Sequence, residues 1–246
     1  MNLRKPPSPF VWKLCLTILV AGATACGGLL AGRQLKLRDA EERLVSATLA
    51  IEASRFERPT HRAPARSGTF GEHAAPHLET LAAASHQLGE LSASDLRLLA
   101  SALRGAQPAA AAPERLRAML EKCRPALHGL LAATHAEAAR PPPALTAPSI
   151  DGGAAAAVRL AARLVALEIL DELEAGRSGR ALDLCTDGLA LARDLRHGSA
   201  VAGRSLAAAV VAQLVAPCSR AIDAAPAQAK RKAIRQLRAI RDATPP

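Results

Sequence analysis

The chain has 246 residues, a net charge of +10, 50% hydrophobic residues and only 2% aromatic ones, with three Phe, one Trp and no Tyr. One or two domains fit that length. The excess charge sits at the ends: residues 1–43 carry +4 and residues 228–246 carry +5, leaving +1 for the rest. That distribution argues against a nucleic-acid-binding domain, which spreads basic residues over a face. Apolar content that is mostly Ala and Leu requires close helix–helix approach, and few stretches alternate as strands do, so the expected class is all-α.

The first expected element is a membrane segment. Arg4, Lys5 and Lys13 precede nineteen uncharged residues, 14–32. A basic flank before an apolar run marks a secretory signal or an anchor. As an anchor the run spans a bilayer with little tilt. As a cleaved signal it offers Ala23-Thr24-Ala25. As a bacterial lipoprotein signal, Ala23-Thr24-Ala25-Cys26 resembles a lipobox, with Cys26 the lipidated residue and Ala23 where Leu is preferred. The apolar run continues through Gly27–Ala31 after every cut, which favours the anchor. Residues 1–33 are therefore read as anchor or signal, with the membrane as partner through 14–32. Positive charge flanks both sides, so the positive-inside rule does not choose an orientation. The short N-terminal tail favours a single-pass inner-membrane protein with its body on the periplasmic side, the lipoprotein and secreted forms being the alternatives.

Residues 34–140 read as a helical region with a linker at 57–75. Arg33–Phe56 carries Leu35, Leu37, Leu44, Leu49 and Ile51 among charges, as a helix leaving the membrane. Pro76 is expected to open the next helix. Ser92-Ala93-Ser94-Asp95 offers a cap for Leu96–Leu103. Pro113 opens a longer helix, with Pro125 inside it. The stretch 141–153, PPPALTAPSIDGG, reads as a stiff connector before a C-terminal bundle over 154–246.

That bundle starts with three helix-length apolar patterns broken at Gly176 and Gly198. Leu160, Leu164 and Leu167 line one face of the first; Leu182, Cys185, Leu189, Ala192 and Leu195 line one face of the second. The charges of the second, Arg180, Asp183, Asp187, Arg193 and Asp194, fall mostly off that face. Between Gly198 and Ser219 the third has only Arg204 as a charge, so it is expected to be the buried centre. Its fifteen uncharged residues, 205–219, fall short of the ~20 that a span needs. Over 160–195 the first two patterns resemble one tetratricopeptide repeat: Gly176 stands at the turn, Ala181 and Leu182 at the small and apolar positions, and Gly188 at the later small one. The aromatic positions of that family are absent, and no second copy follows at its period. The resemblance implies an αα-hairpin. The architecture expected is a membrane helix followed by an Ala/Leu-rich antiparallel bundle or stacked αα-hairpins.

No catalytic, cofactor or metal motif emerges. His73 and His77 have zinc-like spacing, but Pro76 lies between them and two further ligands are lacking. His128 and His135 stand two turns apart, about 10 Å, too far for one ion. Glu168, Asp171, Glu172 and Glu174 end a helix and are followed by Arg177 and Arg180, the pattern of a solvated, ion-paired turn. No G-x-S-x-G and no phosphate loop occur. With the turn placed at Gly198, Cys185 and Cys218 are offset by about seven residues, roughly 10 Å. A disulfide needs Cα atoms within ~7 Å, so Cys123, Cys185 and Cys218 are expected as buried thiols. At the C-terminal end, Pro226 starts a helix over about 227–242. Ile234, Leu237 and Ile240 form its apolar stripe. Arg231, Arg235, Arg238 and Arg241 form a basic stripe that either faces water or meets an anionic partner. The function expected is a non-enzymatic, membrane-anchored, envelope-facing scaffold or protein-interaction module, with another protein as partner and no cofactor. The alternatives are an envelope hydrolase or accessory protein whose site forms only in three dimensions, and a basic C-terminal helix that binds anionic lipid or nucleic acid.

Overall fold

A computed structural model describes residues 60–146, 152–197 and 201–244, which belong to one compact unit. The apolar run 14–32, Cys26 and the helix expected over 33–56 lie outside the described residues. Seven α-helices and two short strands are present among the described residues.

Strand β1 (Arg66–Thr69) leads directly into α1 (Phe70–Leu88). The sequence reading started this helix at Pro76; it starts six residues earlier because Thr69-Phe-Gly-Glu72 is a capping box. The Thr69 N–H donates to Glu72 Oε2 at 2.8 Å, and the Glu72 N–H donates to Thr69 Oγ1 at 3.2 Å. Pro76 is tolerated inside the helix. Helix α2 (Ala93–Leu103) has the Ser92–Asp95 box expected of it, and α3 (Glu114–Ala133) follows Pro113. Strand β2 (Ala136–Ala138) pairs in parallel with β1, Arg66 opposite Ala136.

The hub is α4 (Gly152–Glu174), against which α1, α3, α5 (Ser178–Arg196) and α6 (Ala202–Ala224) all pack. From Leu164 to Leu170 every residue of α4 is buried, so no face of that stretch meets water. Small Ala side chains at 154, 157, 161, 162 and 166 let neighbours approach on all sides. The chain passes from α4 to α5 at Gly176, whose φ of 73° suits a residue without Cβ. The expected stop and hairpin are therefore present.

Helix α6 is not the buried centre that its scarcity of charge suggested. Leu206, Val210, Leu214 and Cys218 pack inward, while Val201, Val211, Val215 and Ile222 face outward. Lack of charge shows that a helix can be buried; here α4 already fills the centre, so α6 covers it with one face only. Among the described residues α6 alone is long and apolar enough to cross a membrane, a test that core helices also pass. Close contact with α5 depends on Gly188: a Cβ there would stand 2.6 Å from Leu214 Cδ1.

Cys185 and Cys218 are joined in a disulfide, with Cα atoms 5.6 Å apart, contrary to the expectation of free thiols. Gly188 facing Leu214 and Cys185 facing Cys218 both centre the hairpin near Val201, about three residues beyond Gly198. Each residue of displacement counts twice in an antiparallel pair, which removes the ~10 Å offset expected. Cys123 is buried and free, as expected.

The last helix, α7 (Ala227–Asp242), lies on α5. It packs Ala233, Gln236 and Ile240 inward and leaves Ile234 49% exposed, so the expected stripe is rotated. Two polar contacts accompany that rotation. Gln236 Oε1 accepts from Thr186 Oγ1 at 3.4 Å, and Lys232 Nζ reaches Asp183 at 2.8 Å.

Candidate functional site

Three distant stretches meet at one carboxylate. His61 and Arg62 lie on the bent segment that leads into β1. His135 follows α3. Asp187 sits in the middle of α5, one turn beyond Asp183. The β1–β2 pair brings the first two stretches together, with the Arg66 N–H donating to the His135 carbonyl at 3.0 Å.

Asp187 Oδ1 lies 2.8 Å from His61 Nε2, 3.1 Å from His135 Nε2 and 2.8 Å from Arg62 Nε. Arg62 Nη2 closes the fork on Oδ2 at 2.9 Å and also donates to the Asp183 carbonyl at 3.1 Å. The two imidazoles meet edge to face, their centres 5.1 Å apart. Burial by itself pushes the Asp187 carboxyl up, but the bonds from His135, His61 and Arg62 outweigh it and hold the group well below the usual carboxylate range. Burial lowers His61 more than its Asp187 partner raises it, so the ring is neutral at neutral pH. His61 Nδ1 is buried with no hydrogen-bond partner. The two Nε2 atoms and the carboxylate oxygen lie within 4.8 Å of one another, and imidazole plus carboxylate is a donor set that divalent first-row metals accept.

Charge continues away from this point in two directions. Asp183 ties Arg62 to Lys232 of α7. Inward, Arg193 donates to Asp194 at 2.7 Å and to the Thr134 carbonyl at 3.0 Å, and burial lowers its guanidinium to about 9. Asp187, Arg193 and Asp194 are thus buried, although the apolar pattern of α5 had set them off its packed face. The side chains that pair them come from elements far away in sequence.

The acidic end of α4 is ion-paired, as its arginines suggested, but two of its acids are buried rather than solvated. Glu168 accepts from His128 Nε2 at 2.7 Å, with Arg124 3.6 Å away. Glu172 meets Arg177 at 2.5 Å and Arg180 at 3.6 Å. The Arg177 hydrogen bond is the largest influence on the Glu172 carboxyl and lowers it. His128 and His135, assigned to no common ion, indeed serve different carboxylates. His73 Nε2 lies 2.8 Å from the Ser67 carbonyl, and the His77 ring covers Gly129, where a Cβ would overlap it. On α7, Arg231, Arg235, Arg238 and Arg241 are all exposed around the exposed Ile234. Arg241 pairs with its neighbour Asp242.

A second site is a surface. The outer face of α6 presents Val211, Val215 and Ile222, and two shallow grooves run along other sides of the helix, meeting at Gln213. One, about 200 Å3, lies between α4 and α6, floored by Val158, Ala162 and Val210 and edged by Arg159 and Arg163. The other, about 190 Å3, lies between α2 and α6 and is edged by Leu96 and Arg104. No acidic residue lines either groove. Burial lowers the Arg163 guanidinium and Arg159 lowers it further, so two like charges stand together.

Comparison of the chain with protein-family models, characterised proteins and solved structures returns no match. What the structure shows of the tetratricopeptide resemblance is an αα-hairpin, α4 followed by α5. In the sequence His61 stood in a stretch read as linker and His135 in a pair read as too far apart. No spacing connects either to Asp187, since the three converge only through β1–β2 pairing and α3–α5 packing. The outward half of α6 carried a weak signal: valines at 201, 211 and 215 share one helical face.

Proposed function

We propose that the protein is a membrane-anchored, envelope-facing helical docking module whose outer α6 face receives an acidic amphipathic helix of a partner protein. The observation that carries this is the exposed apolar stripe Val211, Val215 and Ile222 on α6, a helix that on another side borders a groove edged by Arg159 and Arg163 with no acid in its lining. An apolar stripe meets leucines, and paired arginines at the rim select carboxylates on the margins of the incoming helix. The envelope part of the reading is supported by the apolar run at 14–32 and by the Cys185–Cys218 disulfide, a bond that persists in oxidising compartments.

The test uses the full chain in nanodiscs and two synthetic amphipathic helices with identical leucine stripes, one edged by Glu and one by Lys. Fluorescence anisotropy is expected to show tighter binding of the Glu peptide, weakened by salt. The double substitution Arg159→Glu and Arg163→Glu is expected to invert the preference. Equal binding of both peptides, or of neither, refutes the docking reading. If a second copy occupies the face instead, the chain dimerises and Val215→Asp makes it monomeric, which refutes the acidic-partner reading as well.

A further inference from the structure

The geometry points to a divalent transition-metal site, which we assign to zinc, formed by His61 Nε2, His135 Nε2 and Asp187 Oδ1. Nothing in this assignment depends on the docking face of α6.

The first argument is convergence. Two imidazoles direct the same ring nitrogen at the same carboxylate oxygen, at 2.8 and 3.1 Å. With Arg62 Nε at 2.8 Å, that oxygen faces three donors. An ionised carboxylate has about four acceptor positions over two oxygens. Three donors on Oδ1 and one on Oδ2 is a lopsided use of them. An ion bound to Oδ1 would satisfy both imidazoles at once and leave Oδ2 to Arg62.

The second argument is distance. Zinc binds nitrogen and oxygen donors at roughly 2.0–2.2 Å, so a tetrahedral ion sets its donors about 3.3 Å apart. The two nitrogen-to-oxygen separations need to open by only a few tenths of an ångström. All three donor atoms already lie within 4.8 Å of one another.

The third is the supporting shell. Arg62 Nη2 can keep Oδ2 at 2.9 Å and the Asp183 carbonyl at 3.1 Å while Oδ1 turns to the ion, which holds the carboxylate in place. His61 is fully covered, whereas the His135 and Arg62 side chains are partly exposed. The ion would take its fourth ligand from solvent on that side, the open arrangement of three protein ligands plus water. Donors of this softness, without thiolate, suit zinc or cobalt better than calcium or magnesium.

Arg62 anchors the carboxylate, and this yields a second test beside direct binding of the metal. The full chain, untagged and stripped with EDTA, is titrated with Zn2+ by calorimetry and with Co2+ by visible absorption. One ion per chain and a tetrahedral Co2+ band are expected. His135→Ala, at a partly exposed position, should retain the helical circular dichroism and lose at least the 10- to 100-fold in affinity that even an outer-shell change costs. Arg62→Gln, which removes the anchor on Asp187 Oδ2, should also weaken Zn2+ binding, by roughly 10- to 100-fold. No Zn2+ binding by the parent overturns the assignment. So does a His135→Ala variant that binds as the parent does, because the ion then sits on other histidines. Unchanged binding by folded Arg62→Gln overturns it too, since the ion then does not sit on the carboxylate that Arg62 holds.

Discussion

Cys185 and Cys218 stand level across the α5–α6 hairpin, their Cα atoms 5.6 Å apart, and the bond between them closes a loop with a sequence separation of 33. A loop of that size confines the unfolded chain, for a gain of about 2–4 kcal/mol. The Cys185→Ser, Cys218→Ser pair should therefore lower the free energy of urea unfolding by that order. Reducing agent should do the same to the parent and nothing further to the variant. A parent insensitive to reduction would mean that the bond does not form in the isolated protein.

The His61–Asp187 contact makes stability depend on pH. His61 has a folded pKa below its ordinary value of 6.5, so the unfolded chain binds its proton first. The contribution of neutral His61 is present above 6.5 and is lost as pH falls through the folded value. Asp187 acts in the same direction further down: its folded pKa lies below 3.8, so its contribution is present above 3.8 and lost as pH falls through the folded value. Burial, joined by the charges of Arg193 and His135, lowers His61 against the pull of Asp187, and the bonds from His135, His61 and Arg62 lower Asp187 against burial. Unfolding free energies measured from pH 4 to pH 8 should rise with pH through the window just below 6.5. His61→Asn should flatten that rise, provided its helical circular dichroism is unchanged.

On α7 the buried and exposed isoleucines forecast different outcomes. Ile240 packs inward, and Ile240→Ala should cost about 2 kcal/mol or more. Ile234 is 49% exposed, and Ile234→Ala should change stability by less than about 0.5 kcal/mol. Replacing Arg231, Arg235 and Arg238 by Gln should leave the melting temperature unchanged. If that triple variant instead loses affinity for vesicles containing anionic lipid, while Ile240→Ala folds normally, α7 is a membrane-surface element rather than a packed one.

The helices were legible wherever a local signal existed. Ser92–Asp95, Pro113, Gly176 and Pro226 mark ends that the structure contains, because capping and turn chemistry act within a few residues. The Thr69–Glu72 box was equally local and was passed over in favour of Pro76. What the sequence did not display was which neighbour each face meets. The apolar pattern of α5 says that Cys185 packs; only its register against α6 says that Cys218 is its partner. Asp187 looked like a water-facing acid because the side chains that bury it, His61 and His135, come from segments 126 and 52 residues away. Ile234 fitted an apolar stripe, yet α7 turns Ala233, Gln236 and Ile240 inward, an orientation that depends on the surface of α5 and not on the stripe alone.

Two valines on α6 separate folding from docking. Val210 is 1% exposed and lies against α4, whereas Val215 is 60% exposed on the outer face. Val210→Asp would place a carboxylate among apolar side chains, and neutralising or exposing it costs several kcal/mol. That is a large part of the 5–15 kcal/mol that holds a domain together, so this variant should melt far below the parent or fail to fold. Val215→Asp adds a charge to a surface already in water and should melt within a few degrees of the parent. Its expected defect is in binding: a carboxylate in the middle of the apolar stripe repels the acidic margins of the incoming helix and interrupts its leucine contacts. Differential scanning fluorimetry and anisotropy with the Glu-edged peptide, run on the same preparations, check both halves. A Val215→Asp protein that unfolds early would show that this face is covered by the chain itself. One that folds and binds the peptide unchanged would place the docking surface elsewhere on the bundle.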